Sequence, residues 1–266
     1  MIIIGEKINS TLKAIRPAME AYDAAAIQDL ARKQAAAGAS FIDVNAGMFL
    51  EDEPQRLAWL VDSVQAVCDT PLCIDSPNPR ALKAGLAANR NPKPLINSIT
   101  GEKERFDAVL PLVLEYQAGI IALCMDDSGM PETVEDRLRV ADSLIARLTR
   151  AGVALEDIYI DPIIRPVGTG THYGVVALET IRRVKGNYPQ AHIACGLSNV
   201  SFGLPARRLI NQAMLVAAMA AGMDGAILDP LDQKLMSFIY ATEALLGLDE
   251  YCVEYLGHYR AGRIEG

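Results

Sequence analysis

The sequence predicts an α/β protein, a (β/α)₈ TIM barrel formed by residues 1–266 as one domain, and three observations carry that expectation. Short apolar runs alternate about eight times with amphipathic stretches of ten or more residues. The apolar runs lack a clean two-residue alternation, as parallel strands covered on both faces do. The first run leads into Gly5-Glu6-Lys7 and carries no GxGxxG turn, so an open dinucleotide-binding sheet is disfavoured, and eight even units favour closure.

Taken in order, the first strand is expected at Ile2–Ile4, followed by a helix over 23–37 that stops at Gly38. The second, Phe41–Asn45, leads to a helix over 52–68, and the third, Leu72–Asp75, to one over 79–89. Pro94–Asn97 and Ile120–Met125 are the fourth and fifth strands, separated by a helix over 102–117 with a stop at Gly119. A helix over 132–151, stopped at Gly152, leads to Ile158–Asp161, and one over 174–186 to His192–Cys195. A helix over 206–221, stopped at Gly222, precedes the eighth strand, Gly225–Leu228. The last repeat closes with a helix over 231–246, stopped at Gly247, and a further helix follows Asp249. Glycine suits these stops because it enters the left-handed conformation without steric cost. A helix after each strand implies right-handed parallel crossovers.

Composition narrows the partners. Of 266 residues, 51% are hydrophobic and 22% charged, enough apolar surface for a large core without a disulfide or metal staple. The net charge is −8 with no run of Lys and Arg, which argues against nucleic acid. Stretches such as Ala213 to Met223 are too short to span a membrane. The N-terminus reads as a strand and not as a secretory signal, so a cytoplasmic protein is expected. The cysteines lack CxxC spacing and the histidines pair at no helical interval, so no metal is expected to be bound by this chain.

Polar residues interrupt the apolar character where a barrel keeps its working groups, at the C-terminal strand ends. The second strand ends Asp43-Val-Asn45-Ala-Gly47, the third Ile-Asp75-Ser76, the fourth Ile-Asn97-Ser98 and the sixth Ile-Asp161-Pro162. The seventh runs into Gly196-Leu-Ser198-Asn199. Any one of these could simply cap the next helix or form a turn. Five together, gathered by the barrel into one ring, form a site whose carboxylates repel one another unless a donor-rich ligand intervenes. Carboxylate and carboxamide groups match the edge of a heterocycle with ring N–H groups and an exocyclic amine. The stretch Gly168-Thr-Gly-Thr-His-Tyr-Gly174 lacks the Walker Lys-Ser/Thr ending and is expected to be an active-site loop, with an anion cradle as the other reading.

The segments Ile-Gly5-Glu6-Lys-Ile-Asn9, Asp43-Val-Asn45-Ala-Gly, Ile-Asp75-Ser, Ile-Asn97-Ser, Asp161-Pro and Gly196-Leu-Ser-Asn199-Val-Ser resemble the pterin-binding family. They are most similar to the methyltetrahydrofolate:corrinoid protein methyltransferases, over nearly the whole chain. The resemblance implies a methyltransferase that moves a methyl group reversibly between N5 of tetrahydrofolate and the cobalt of a corrinoid (cobalamin) carried by a separate protein. It implies that Asp75, Asn97 and Asp161 hold the pterin edge and that Asn199 lies near N5, with Gly196, Ser198 and Arg207 in the substrate site. Arg207 also reads as an ordinary surface helix cation. Glu6, Asn9, Asp43 and Asn45 are expected as direct contacts or as support behind them. Asn199 is the expected catalytic residue, donating a hydrogen bond to N5 that strengthens as charge develops there.

Two relatives leave alternatives. Dihydropteroate synthase would need Ser-x-Arg or Ser-x-Lys on the seventh strand and Arg-x-His near the eighth, where this chain reads Gly-Leu-Ser-Asn and Ala-Ile-Leu-Asp. Cobalamin-dependent methionine synthase marks its own corrinoid module with Asp-x-His-x-x-Gly, and no histidine here has Asp two residues before it. A non-catalytic folate-binding barrel is the remaining reading. The resemblance also implies a homodimer. The aromatic segment Tyr251 to Tyr259 either faces a second subunit or closes the bottom of the barrel.

Overall fold

Eight parallel strands pair in sequence order, and the eighth pairs back with the first to close the barrel. The computed structural model describes residues 1–265, so the last residue of the expected unit, Gly266, lies outside the described residues. The strands are β1 (Ile2–Asn9), β2 (Phe41–Asn45), β3 (Leu72–Asp75), β4 (Leu95–Thr100), β5 (Gly119–Leu123), β6 (Ile158–Asp161), β7 (His192–Gly196) and β8 (Gly225–Leu228). Around them run α1 (Arg16–Glu20), α2 (Ala24–Ala36), α3 (Glu53–Gln65), α4 (Pro79–Ala88), α5 (Lys103–Glu115) and α6 (Val134–Arg150). The ring is completed by α7 (Tyr173–Asn187), α8 (Arg207–Ala221) and α9 (Gln233–Leu245), with α10 (Val253–Arg260) beyond it.

Strands β2, β3, β6 and β8 occupy their expected ranges. The first strand runs past Ile4 to Asn9, because Glu6 and Asn9 continue it towards the mouth across a bulge between Gly5 and Ile8. The fourth is displaced from Pro94–Asn97 towards Thr100: proline has no N–H to give the ladder, and its carbonyl only accepts from Gly119 N at 2.9 Å. The fifth stops at Leu123, short of Met125, where the chain turns into an Asp126–Gly129 bridge. The five-residue α1, with Pro17 in its first turn, is too short to leave a helical period in the sequence.

The glycine stops divide. Gly222 adopts φ +111° after α8, a left-handed cap. At the end of α5, however, Gln117 takes the left-handed conformation (φ 48°), and Gly119 is already a strand residue. A Cβ on Gly119 would stand 3.1 Å from Leu95 Cδ1, so this glycine serves close packing and not a cap.

Most of the core lies between the strands and the helices. Inside the barrel a second cluster, Ile4, Cys73, Leu95, Ile121, Tyr159 and Ala194, is fully packed, with Ile2, Phe41, Leu123 and Ile227 against it. The barrel is therefore filled below its mouth, and ligand space is confined to the C-terminal end. Helix α10 lies along α9, where His258 stacks on Tyr240 with ring centroids 3.7 Å apart and Gln233 reaches the Gly262 carbonyl at 3.0 Å. It does not plug the bottom of the barrel, and Tyr251 and Tyr259 stay exposed.

Candidate active site at the barrel mouth

Side chains of a strand alternate between the barrel interior and the helix layer. Inward positions therefore run Phe41, Asp43, Asn45 in β2, Cys73, Asp75 in β3, Leu95, Asn97 in β4 and Tyr159, Asp161 in β6. At the inward position nearest the mouth, apolar fill gives way to hydrogen-bonding groups. Register sets Asn9 beside Asn45, Asn45 beside Asp75, and Asp75 beside Asn97, making one row across four strands. Asp161 pairs in register with Leu123 of β5, which separates it from that row.

The row is internally braced. Asn45 donates from Nδ2 to Asp75 Oδ2 at 2.9 Å, while its Oδ1 accepts from Ser10 Oγ at 3.1 Å and from the Gly47 amide at 3.0 Å. Behind Asp75, Arg105 donates to the carbonyls of Ser76, Pro77 and Ser98 and so ties the loops after β3 and β4 together. Ser76 Oγ donates to Glu53 at 2.5 Å. Asn9 spends its carboxamide oxygen on a local turn, accepting from the amide and hydroxyl of Thr11 at 2.9 and 2.7 Å. Asp43 lies one layer below the strand end, buried, with Oδ1 unpartnered among the described residues.

Burial dominates the ionisation of these acids. It pushes the Asp161 carboxyl up to about 7, against the Ile163 amide that donates to it at 2.7 Å, the Arg137 guanidinium and the Gly196 amide. Asp75 is raised to about 6 by burial, opposed by the Asn45 hydrogen bond, pushed further by the Glu53 carboxylate and opposed by Arg105. Asp43 is raised well above the usual carboxylate range by burial and by the neighbouring Asp75. Glu6, at the mouth end of β1, is raised to about 7 by burial and by Asp229, against Lys7 and Arg207. Several carboxyl groups thus share a poorly solvated region, and a ligand that donates N–H groups lowers the cost of ionising them.

The seventh strand delivers a different group. After Gly196 the chain winds through a 3₁₀ turn, Leu197–Ser201, that leaves Asn199 exposed on the mouth. The Asn199 carboxamide makes no hydrogen bond to any described residue, although its backbone carbonyl accepts from Phe202 at 3.1 Å. It lies back over Gly196: a Cβ there would be 3.1 Å from Asn199 Nδ2. Arg207 donates to the Ser198 carbonyl at 2.8 Å and to Ser201 Oγ at 3.0 Å, so this exposed cation braces the turn that carries Asn199. The Ser198 side chain is half-buried beside it.

Some participants escape a reading of the sequence. Asp229 follows β8, ion-pairs with Lys7 at 2.8 Å and acts on Glu6. Its signal was available, because Leu-Asp229-Pro repeats the Ile-Asp161-Pro pattern of β6. Arg137, wholly buried near Asp161, sits in a polar Glu-Asp-Arg stretch that looks like a solvated helix start. The glycines of the 168–174 loop are explained by packing: Gly168 abuts Leu204 and Gly170 abuts the Tyr173 ring. Arg165 stacks over that ring at 3.9 Å and pairs with Glu132 at 2.6 Å. Among the described residues no group of three or more His, Cys, Asp or Glu side chains is placed to hold a metal ion, and no helix is long and apolar enough to cross a membrane.

Comparison with known proteins adds five findings. The family model described as "Pterin binding enzyme" matches residues 5–229. The methylcorrinoid:tetrahydrofolate methyltransferase of Eubacterium limosum is 40% identical over 266 residues, covering 99% of this chain and 98% of that protein. The methionine synthase of Mycobacterium tuberculosis is 31% identical over 240 residues, 85% of this chain but 20% of the longer enzyme. Among solved structures, the dihydropteroate synthase of Yersinia pestis superposes with a TM-score of 0.70 at 18% identity, over 92% of this chain and 93% of that one. The Xanthomonas albilineans dihydropteroate synthase in complex with 7,8-dihydropteroate gives 0.68 at 19% identity, over 94% and 93%. At such identities these structures speak for the barrel alone.

Proposed function

The chain belongs to the pterin-binding enzyme family, and we infer from that membership and from the mouth geometry that it is a methyltransferase acting between tetrahydrofolate and a corrinoid. The methyl group moves between N5 of the folate and the cobalt of a corrinoid presented by a separate protein. Both are substrates, and the corrinoid supplies the cobalt that gives or takes the methyl group.

The observation that carries this reading is the division of the mouth into two chemistries. On one side lie braced, desolvated acceptors, Asp75 with Asn45 and Asn97 in register, and Asp161 across Leu123. On the other lies one unclaimed carboxamide, Asn199, held on a turn that Arg207 fixes. In our reading Asp75, Asn97 and Asp161 accept from the ring N–H and amino groups of the pterin. Asn199 then donates to N5 as the methyl–nitrogen bond breaks, and the proton comes from solvent. Gly196 and Ser198 shape that side, while Glu6, Asn9, Asp43 and Asn45 support the ring from behind or below. The strand-seven motif reads Ser198-Asn199-Val200, without the basic residue that the Ser-x-Arg or Ser-x-Lys of dihydropteroate synthase requires, which argues against that activity.

Incubating the protein with a methylated corrinoid protein and tetrahydrofolate, and following the cobalt absorption spectrum, tests the activity. Demethylation of the corrinoid with formation of 5-methyltetrahydrofolate is expected. Absence of transfer in both directions would leave only a folate-binding barrel, and turnover of p-aminobenzoate would move the protein to the synthases.

We also propose a homodimer. Leu245, Leu248, Tyr251, Val253 and Tyr259 expose a run of large apolar side chains on α9, α10 and the turn between them, a patch that a second copy would cover. The five cysteines are free thiols, which fits the cytoplasm.

A further inference from the structure

Arg137 heads the wholly buried side chains by size, and none of its three guanidinium nitrogens has a hydrogen-bond partner among the described residues. It is placed there deliberately. Helix α6 begins in a capping box, where Thr133 Oγ1 accepts from the Asp136 amide at 3.1 Å and Asp136 takes the Thr133 amide and hydroxyl. Arg137 therefore falls in the first turn, level with the barrel mouth, and α6 packs it against the ends of β5 and β6. At that seam the Cys124 amide donates to the Asp161 carbonyl at 2.9 Å.

A guanidinium does not lose its proton in a protein, so a buried one needs a counter-charge. The titratable groups around this seam are Cys124, Asp161, Glu132, Arg165, Asp142 and Cys195. Most are already spoken for. Glu132 pairs with Arg165 at 2.6 Å, Asp142 accepts from Tyr188 at 2.9 Å, and Glu135 on the same turn of α6 pairs with Arg183 at 3.0 Å. Burial holds the Cys124 and Cys195 thiols far up, and so neutral. Asp161 alone of these acids has no side-chain hydrogen-bond partner, only backbone amides, on its carboxylate.

We propose that Arg137 is a positioning residue for folate: from behind the β5–β6 seam it supplies the fixed positive charge that holds Asp161 as a carboxylate against the pterin. The inference rests on the reading of Asp161 as a pterin-edge acceptor. Its consequence is that Arg137 sets the pH range of folate binding without touching the ligand. A neutral Asp161 offers one acceptor fewer and a proton that meets the pterin's own donors.

The test is the dissociation constant of tetrahydrofolate and 5-methyltetrahydrofolate, measured anaerobically from about pH 6 to about pH 9, for the wild type, Arg137→Met, Arg137→Lys and Asp161→Ala. Wild-type affinity should rise with pH through about 7. For Arg137→Met the midpoint should move up by about one pH unit, weakening binding about fivefold at pH 7 and about tenfold at pH 6, with recovery at high pH. Arg137→Lys keeps the charge and should keep the wild-type profile. If Arg137→Met does not fold, as judged by circular dichroism, Arg137→Gln takes the same measurement. A loss that is uniform across pH, or an unshifted midpoint, overturns the proposal and leaves Arg137 a packing residue. Asp161→Ala separates the two levels: normal folate binding by that variant defeats the pterin-edge reading itself, whereas its loss beside an unshifted Arg137→Met profile defeats the Arg137 proposal alone.

Discussion

Asn45 donates its carboxamide to Asp75 at 2.9 Å across the β2–β3 seam, so an acid on one strand is held by an amide on the next. That bond favours the charged form of Asp75, which burial otherwise opposes. A hydrogen bond to a charged group contributes about 1.5–3 kcal/mol. Replacing Asn45 with Ala should therefore weaken folate binding about tenfold or more near pH 7, with partial recovery at higher pH. Titration calorimetry at two pH values checks this, and an unchanged constant would remove Asp75 from the pterin edge.

Asn199→Ala should lower the methyl-transfer rate about 100-fold or more while changing folate affinity little, because a hydrogen bond that forms fully only in the transition state appears in rate and not in binding. Single-turnover transfer to a corrinoid protein, set beside the equilibrium constant for folate, separates the two. Equal losses in both would make Asn199 a binding residue.

Gly196→Ala should fold normally and react slowly. The added Cβ would stand 3.1 Å from Asn199 Nδ2, so the carboxamide must shift by a few tenths of an ångström. Misplacing a reacting group by 1 Å costs on the order of 100-fold, and a smaller shift here should cost about three- to tenfold in rate. An unaltered rate would mean that Asn199 moves to its working position only when folate binds.

If the apolar patch around Leu248 and Tyr251 is a subunit interface, sedimentation should give twice the chain mass, and Leu248→Glu with Tyr251→Lys should return it to one chain. A monomeric wild type would show that no second copy covers the patch.

The barrel and the acceptors of its mouth were legible because both depend on local pattern. A strand buried on both faces stays apolar until its last inward residue, and Asp75, Asn97 and Asp161 break the apolar run at that position. Depth was not legible. In Asp43-Val-Asn45 both polar residues point inward, but only the register with β3 reveals that Asn45 meets Asp75 while Asp43 is sealed a layer below. Nor could the chain announce Arg137. A Glu-Asp-Arg helix start has the composition of a solvated turn, and its burial is decided by how α6 seats on β5 and β6. The roles of Arg207 and Arg105 as braces likewise depend on backbone carbonyls, which every residue possesses and no sequence pattern marks.

The raised acids also make a prediction about stability, with a definite sign. Glu6 and Asp161 titrate near 7 in the folded protein and near their ordinary values, 4.5 and 3.8, when unfolded. The folded state thus holds protons that the unfolded chain releases, so their contribution is complete below the ordinary values and is lost as pH rises through about 7. Asp224 has the opposite sign: against the cost of its burial, hydrogen bonds from His192 and Lys185 and from the Ile193 amide hold it down to about 2, and its contribution fails only as acid takes pH below the ordinary range. The ligand-free protein should therefore be most stable at about pH 4, where neither loss has gone far, and should lose about 5 °C or more in melting temperature by about pH 8. Glu6→Gln should flatten that slope, since an amide has no proton to lose. Bound folate should reverse it, because a ligand that needs carboxylates adds most where they are charged. Calorimetric scans with and without 5-methyltetrahydrofolate measure both slopes. A ligand-free melting temperature that climbs from pH 5 to 8 would show that the mouth acids are already ionised, and that the site does not wait for folate to charge it.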